Sequence, residues 1–122
     1  MPLLFVYGSL KRGFSANEFF KEQRFISEAK TEPVYRMYDY GGFPGVVEVD
    51  EGGYAIEGEV WEVAEPLFDQ LDHYEGVAEG LYSRGVGRLT EQLPDVTIYL
   101  YQRDVLKLPD VGPVWKREWD RG

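Results

Sequence analysis

Leu3-Leu4-Phe5-Val6-Tyr7-Gly8-Ser9-Leu10-Lys11-Arg12-Gly13 begins with an unbroken apolar run that stops at a glycine. A strand with one face in water alternates apolar and polar residues, whereas a strand covered on both faces reads as a continuous apolar segment. The run Leu3–Val6 therefore predicts a central strand with packed layers on both sides. The glycines that follow predict a loop leaving its carboxyl end.

Beyond this loop, Ser15 and Glu18 stand at capping-box spacing and Phe14 and Phe19 at staple positions, predicting a helix over 16–23. Residues 25–40 read as strand interrupted by Pro33, and Gly41-Gly42 turns the chain into a short strand over 44–49. Asp50-Glu51-Gly52-Gly53 is a loop, and a longer strand follows over 54–63. Its two-residue period puts Ile56, Gly58 and Val60 on one face and Glu57, Glu59 and Trp61 on the other. Pro66 in a first turn and Gly76 just past the last one bracket a second helix over 66–75. Strands over 81–89 and 96–101 flank a turn at 91–95. Strands and short helices in this irregular order are not a beta-alpha alternation, so the expected class is alpha+beta with a curved, barrel-like mixed sheet and two short helices. The 122 residues form one expected domain, with 109–122 as a C-terminal tail. Trp115 and Trp119 lie four apart there and would share one patch of the body if the tail were helical.

Composition narrows the function. With 22 acidic and 13 basic residues the net charge is -9, which repels phosphate backbones and anionic lipid; nucleic-acid and membrane partners are not expected. The first apolar run is too short for a signal peptide and no basic residue precedes it, so a cytoplasmic location is expected. There is no cysteine, hence no disulfide, thiolate metal site or cysteine nucleophile. The sequence assigns no oligomeric state.

Two places could carry chemistry. In Tyr7-Gly8-Ser9-Leu10, glycine permits close approach of the backbone and positive φ angles that aim N–H groups at a carboxylate or oxyanion. The same spacing suits an ordinary glycine turn. Lys11 and Arg12 could assist an anion or simply be solvated. In the second helix Leu67, Leu71 and Glu75 follow at four-residue spacing, so the carboxylate extends the apolar stripe. Burial, the helix C-terminus and the neighbouring charge of Asp72 would each raise its pKa. A surface glutamate at a frayed helix end is the equal alternative. His73 is the sole histidine and reads as an exposed helix residue; a Ser9–His73–Asp72 triad is disfavoured because helix neighbours diverge and no G-x-S-x-G elbow is present. No zinc or calcium ligand spacing occurs, so no metal is expected.

Together, Phe5-Val6-Tyr7-Gly8-Ser9-Leu10-Lys11-Arg12-Gly13, Phe43-Pro44-Gly45, Gly58-Glu59-Val60, Leu71-Asp72-His73-Tyr74-Glu75-Gly76 and Tyr82-Ser83-Arg84 resemble the gamma-glutamylcyclotransferase-like family in order and approximate spacing, up to about Tyr101. The resemblance implies that family's fold and a small-molecule gamma-glutamyl substrate. It implies Glu75 as the catalytic acid–base, Tyr7, Gly8, Ser9 and Leu10 as the substrate loop, and Tyr99 on the pocket, with Tyr101 as the alternative on the same strand face. Tyr82 and Arg84 would support the site. The implied reaction is attack of the substrate's alpha-amine on its own gamma-carbonyl, giving 5-oxoproline and an amine without cofactor or metal. Leu10, where the branch acting on gamma-glutamyl amino acids usually carries asparagine, points to the gamma-glutamylamine branch. A non-catalytic binding or interaction module on the same fold is the alternative, and removal of a gamma-glutamyl protecting group is a variant of the first reading.

Overall fold

The computed structural model describes residues 2–91, 93 and 95–116. Among the described residues the strands are β1 (Leu3–Val6), β2 (Arg24–Lys30), β3 (Tyr35–Asp39), β4 (Pro44–Glu48), β5 (Glu57–Glu62), β6 (Tyr82–Val86) and β7 (Val96–Tyr101), with one α-helix, α1 (Glu65–Tyr74), and a 3-10 helix at Ser15–Phe20. Five strands form a mixed sheet in the order β2-β5-β1-β7-β6, while β3 and β4 form a separate hairpin. β1 lies at the centre, antiparallel to β5 and parallel to β7.

Both faces of β1 are covered, as its apolar run requires. Leu4 and Val6 pack toward Leu67, Phe68 and Leu71 of α1. Phe5 and Tyr7 pack on the opposite side with Tyr35, Met37 and Val46 of the hairpin. β5 divides in the same way, Trp61 joining the helix side and Val60 the hairpin side. Class alpha+beta and a mixed sheet follow, but the sheet is not closed. Its edges β2 and β6 meet only beyond their ends, at the Thr31–Leu89 bridge with bonds from Glu32 N–H to the Arg88 carbonyl (2.8 Å) and Thr90 N–H to the Lys30 carbonyl (3.0 Å). Pro33, which has no N–H to give a ladder, follows directly and the chain leaves for the hairpin.

The first helix departs from expectation. It is a 3-10 helix of six residues, and the extended residue before it is Phe14, whose side chain makes no cap bond, in place of the expected Ser15. Phe14 packs on the hairpin side and Phe19 on the helix side, so the expected staple does not form. Tertiary contacts hold this segment instead: Asn17 Nδ2 donates to the Leu10 carbonyl (2.8 Å), and buried Phe20 lies 5.0 Å from the Trp61 ring.

The segment expected as a tail is built into the body. Asp39 N–H donates to the Pro109 carbonyl (3.0 Å), Val111 N–H to Met37 (2.9 Å) and Glu57 N–H to Pro113 (2.8 Å). Trp115 is buried, outside any helix; Trp119 lies outside the described residues. No helix among the described residues is long and apolar enough to cross a membrane.

The end of α1 matters most for the site. Glu75 is its C-cap, and Gly76 follows at φ 66°. Gly76 N–H bonds the His73 carbonyl (3.2 Å) and Val77 N–H the Asp72 carbonyl (3.0 Å), the paired bonds of a Schellman cap. A Cβ at Gly76 would stand 3.2 Å from Leu81 Cβ and in the left-handed region. Gly76→Ala is therefore expected to lower stability by about 1–2 kcal/mol and to displace Glu75 with the cap. Chemical denaturation measures the first effect, and unchanged stability would show that the left-handed cap is not required.

Candidate active site

A cavity of about 290 Å³ opens where the carboxyl end of β1, the C-terminus of α1, the hairpin and β7 meet. Its volume is near the lower end of ligand cavities, about 300 Å³, and suits an amino-acid-sized group. The structure brings Tyr7, Gly8, Ser9, Leu10, Glu75, Tyr82 and Tyr99 together on its wall. Arg84 is not on the wall; it stands behind Tyr99. Tyr101, the alternative to Tyr99, is also off the wall. It stacks on Tyr40 at 4.6 Å and lies over Gly45, where a Cβ would come within 2.7 Å of its Cγ.

The loop is held at both ends. β1 carries Tyr7 into it, and at the far end Arg12 N–H donates to Glu59 Oε1 (3.0 Å) and Arg12 Nε to Glu59 Oε2 (3.0 Å). Lys11 Nζ donates to the Trp115 carbonyl (3.1 Å). Both cations are thus structural, neither free in solvent nor turned to the cavity. Between the anchors, the N–H groups of Gly8, Ser9 and Leu10 donate to no protein acceptor among the described residues. Gly8 is required for space and not for a positive φ, since Gly13 is the loop glycine in that region. A Cβ on Gly8 would stand 2.6 Å from Pro44 Cγ.

Glu75 is half-buried, and burial alone pushes its carboxyl up to about 7 from 4.5. Two of the three causes expected from sequence drop out. Asp72 turns away from Glu75: Arg84 Nε donates to its Oδ1 (2.9 Å), Arg84 Nη2 to its Oδ2 (2.6 Å), and the Tyr99 hydroxyl to Oδ1 (2.6 Å). Arg84 foremost holds the Asp72 carboxyl below its usual range. Nor does the helix end add to the rise, because the Schellman bonds occupy its last carbonyls. No side chain among the described residues donates a hydrogen bond to the Glu75 carboxyl, so nothing offsets its desolvation.

The imagined triad is not assembled. Ser9 Oγ lies 3.0 Å from the Tyr74 hydroxyl, His73 is exposed, and Asp72 is bound to Arg84 and Tyr99. No group of three or more His, Asp or Glu side chains is placed to hold a metal ion among the described residues.

Wall residues that local sequence left without a role are Tyr40, Phe43, Pro44 and Tyr74. Phe43-Pro44 and Tyr74 fall inside short stretches already singled out, but Tyr40 carries no local signal. The hairpin tip delivers Tyr40, Phe43 and Pro44: Asp39 Oδ1 accepts from Gly41 N–H (3.0 Å) and Gly42 N–H (2.6 Å), both glycines at positive φ. The Tyr82 hydroxyl then ties the tip to the sheet, donating to the Pro44 carbonyl and lying 3.1 Å from the Tyr40 hydroxyl.

Comparisons with known proteins identify the family and the fold. The pattern of the family described as "Gamma-glutamyl cyclotransferase, AIG2-like" matches residues 4–121, running past the point near Tyr101 where the motif resemblance ends. A Vibrio cholerae protein provisionally named a gamma-glutamylcyclotransferase is 39% identical over 75 residues, covering 62% of this chain and 63% of that protein. A Danio rerio protein named gamma-glutamylaminecyclotransferase A is 33% identical over 88 residues, covering 66% of this chain and 54% of that protein. The chain therefore spans a little over half the length of these relatives. The crystal structure of a mouse AIG2-like protein superposes with a TM-score of 0.70 at 25% identity, over 90% of this chain and 85% of that one. The match over nearly the whole sequence, the shared fold and the cavity formed by the matching motifs lead to one conclusion: the chain belongs to the gamma-glutamyl cyclotransferase, AIG2-like, enzyme family.

Proposed function

We propose that this chain releases 5-oxoproline and an amine from a gamma-glutamyl amide, with Glu75 as general acid and base. The observation that carries the reading is a carboxyl raised to about 7, half-buried on the wall of an amino-acid-sized cavity. A base poised near the working pH can take a proton in one step and return it in the next. In this mechanism Glu75 takes a proton from the substrate's alpha-ammonium. The freed amine attacks the gamma-carbonyl carbon, closing the five-membered ring and leaving a tetrahedral oxyanion. The N–H groups of Gly8, Ser9 and Leu10, which donate to no acceptor among the described residues, supply donors for that oxyanion or for the substrate carboxylate. Collapse breaks the original carbon–nitrogen bond as Glu75 returns its proton to the leaving nitrogen; the ring nitrogen gives up its second proton, which ends on the released amine as its ammonium, so no water is consumed. The cavity holds amine and carbonyl close together, which removes much of the entropic barrier to ring closure.

The leaving group follows from what the wall lacks. No Lys, Arg or His lines the cavity among the described residues, and Lys11 and Arg12 are anchored elsewhere. A leaving amino acid would bring a second alpha-carboxylate with no cation to meet it, whereas a simple amine brings none. A gamma-glutamylamine such as gamma-glutamyl-epsilon-lysine is expected to show kcat/KM at least about tenfold above glutathione, the scale of one charged hydrogen bond. Incubation with a panel of gamma-glutamyl amides and detection of 5-oxoproline tests both statements. A preference for glutathione would overturn the leaving-group reading; no 5-oxoproline from any member would favour the non-catalytic module.

A further inference from the structure

The wall around Glu75 has a polarity that the reaction scheme does not by itself require. Of the five phenols that line the cavity, three direct their single proton at a protein acceptor: Tyr7 at the Tyr99 carbonyl (2.6 Å), Tyr82 at the Pro44 carbonyl, and Tyr99 at Asp72 Oδ1 (2.6 Å). A phenol has one proton and two lone pairs, so these oxygens are left with acceptor capacity only. Two of the three acceptors are backbone carbonyls, fixed by the fold. The third is a side chain, Asp72, and it is ionised and gripped by the two bonds from Arg84, whose guanidinium also lies 4.8 Å from the Phe68 ring centroid. Arg84 has no wall position of its own and its charge is matched by Asp72, so it brings no cation to the cavity.

Resting on the gamma-glutamyl reading above, we propose that Asp72, clamped by Arg84, is a positioning residue that draws the Tyr99 proton out of the cavity, so that the Tyr99 oxygen accepts a hydrogen bond from the substrate's alpha-ammonium. The cavity then has two chemically opposite walls. The loop N–H groups of Gly8, Ser9 and Leu10 form the donor wall, and Tyr99 with Tyr7 and Tyr82 forms the acceptor wall beside Glu75. An alpha-amino acid head fits such a site in one orientation, ammonium toward the phenols and Glu75, carboxylate or carbonyl toward the loop. The same locking means that none of these three phenols donates to Glu75, whose carboxyl is raised by burial.

Calorimetric titration with two ligands that cannot cyclise tests this. One is the sulfonamide analogue of a gamma-glutamyl alkylamide, whose sulfur resists attack by the amine; the other is the same molecule without its alpha-amino group. Tyr99→Phe and Asp72→Asn are each expected to weaken the amino ligand about tenfold or more, the scale of a hydrogen bond to a charged group, and to leave the des-amino ligand within about twofold. The double variant should lose no more than either single one, because both remove the same bond. Equal losses for both ligands, or losses that add in the double variant, would overturn the proposal. Should Asp72→Asn fail to fold, Arg84→Gln takes its place with the same expected selectivity. A wild-type protein that binds neither ligand would remove the gamma-glutamyl reading and this inference together; binding of the amino ligand without selective loss in the variants would remove this inference alone.

Discussion

Glu75→Gln is expected to lower kcat by about 100- to 10,000-fold, the range associated with losing a positioned acid–base group. The amide matches the carboxylate in shape but cannot carry a proton between the two nitrogens. The pH profile separates this from a packing defect. With a carboxyl at about 7, wild-type activity should rise as pH increases through that value, because the base form is the ionised one; the variant's residual activity should lack that limb. Stability should move the other way. Glu75 titrates at about 7 folded against 4.5 as the ordinary value, so the folded state holds the proton more tightly. Its contribution is fully present below pH 4.5 and is lost as pH rises through about 7. Glutamine has no charge to desolvate. Relative to wild type, the variant should therefore gain stability between those two pH values, by up to about 3 kcal/mol at pH 8. A variant that keeps wild-type kcat would end the acid–base assignment, and a stability difference that does not change with pH would show that Glu75 ionises normally.

Gly8→Val should abolish ligand binding at the loop. The new Cβ would sit 2.6 Å from Pro44 Cγ, closer than side chains approach, and neither partner is free to yield. Pro44 is a rigid ring in β4, which is paired to Asp39 of β3, and its carbonyl holds the Tyr82 hydroxyl. Either the loop or the hairpin must shift, and both are walls of the cavity. Overpacking of this kind costs about 1–3 kcal/mol, and affinity for 5-oxoproline should fall by more than about tenfold. Gly13→Ala is the control: a Cβ there meets nothing within 4 Å, so the variant carries the strain of φ 88° but leaves the cavity intact. Calorimetry with 5-oxoproline, joined to chemical-shift mapping, should show binding retained in Gly13→Ala and lost in Gly8→Val. Wild-type affinity in Gly8→Val would refute the loop as the substrate cradle.

Patterns set between near neighbours were legible in the sequence. The apolar run Leu3–Val6 foretold a strand covered on both faces, and the two-residue period of β5 sorted Val60 from Trp61 onto the correct sides. Leu67, Leu71 and Glu75 at one-turn intervals, followed by Gly76, placed a carboxylate at a capped helix end. These are consequences of backbone geometry over a few residues, and backbone geometry is the same in every fold. The short first helix was misread because its capping signals are weaker than the tertiary contacts of Asn17 and Phe20. What only the tertiary structure decided was partnership across long stretches of chain. The parallel pairing of β1 with β7 brings Tyr99 against Tyr7, 92 residues away. The order of the sheet sets Arg84 over Asp72, turning an expected like charge beside Glu75 into a clamp on Tyr99. Packing of the hairpin puts Tyr101 under Tyr40 and leaves Tyr99 to the cavity, a choice that their shared strand face left open. Such pairings depend on which strands meet and in what register, and that is fixed by the lowest free energy of the whole chain, to which no single segment holds the key.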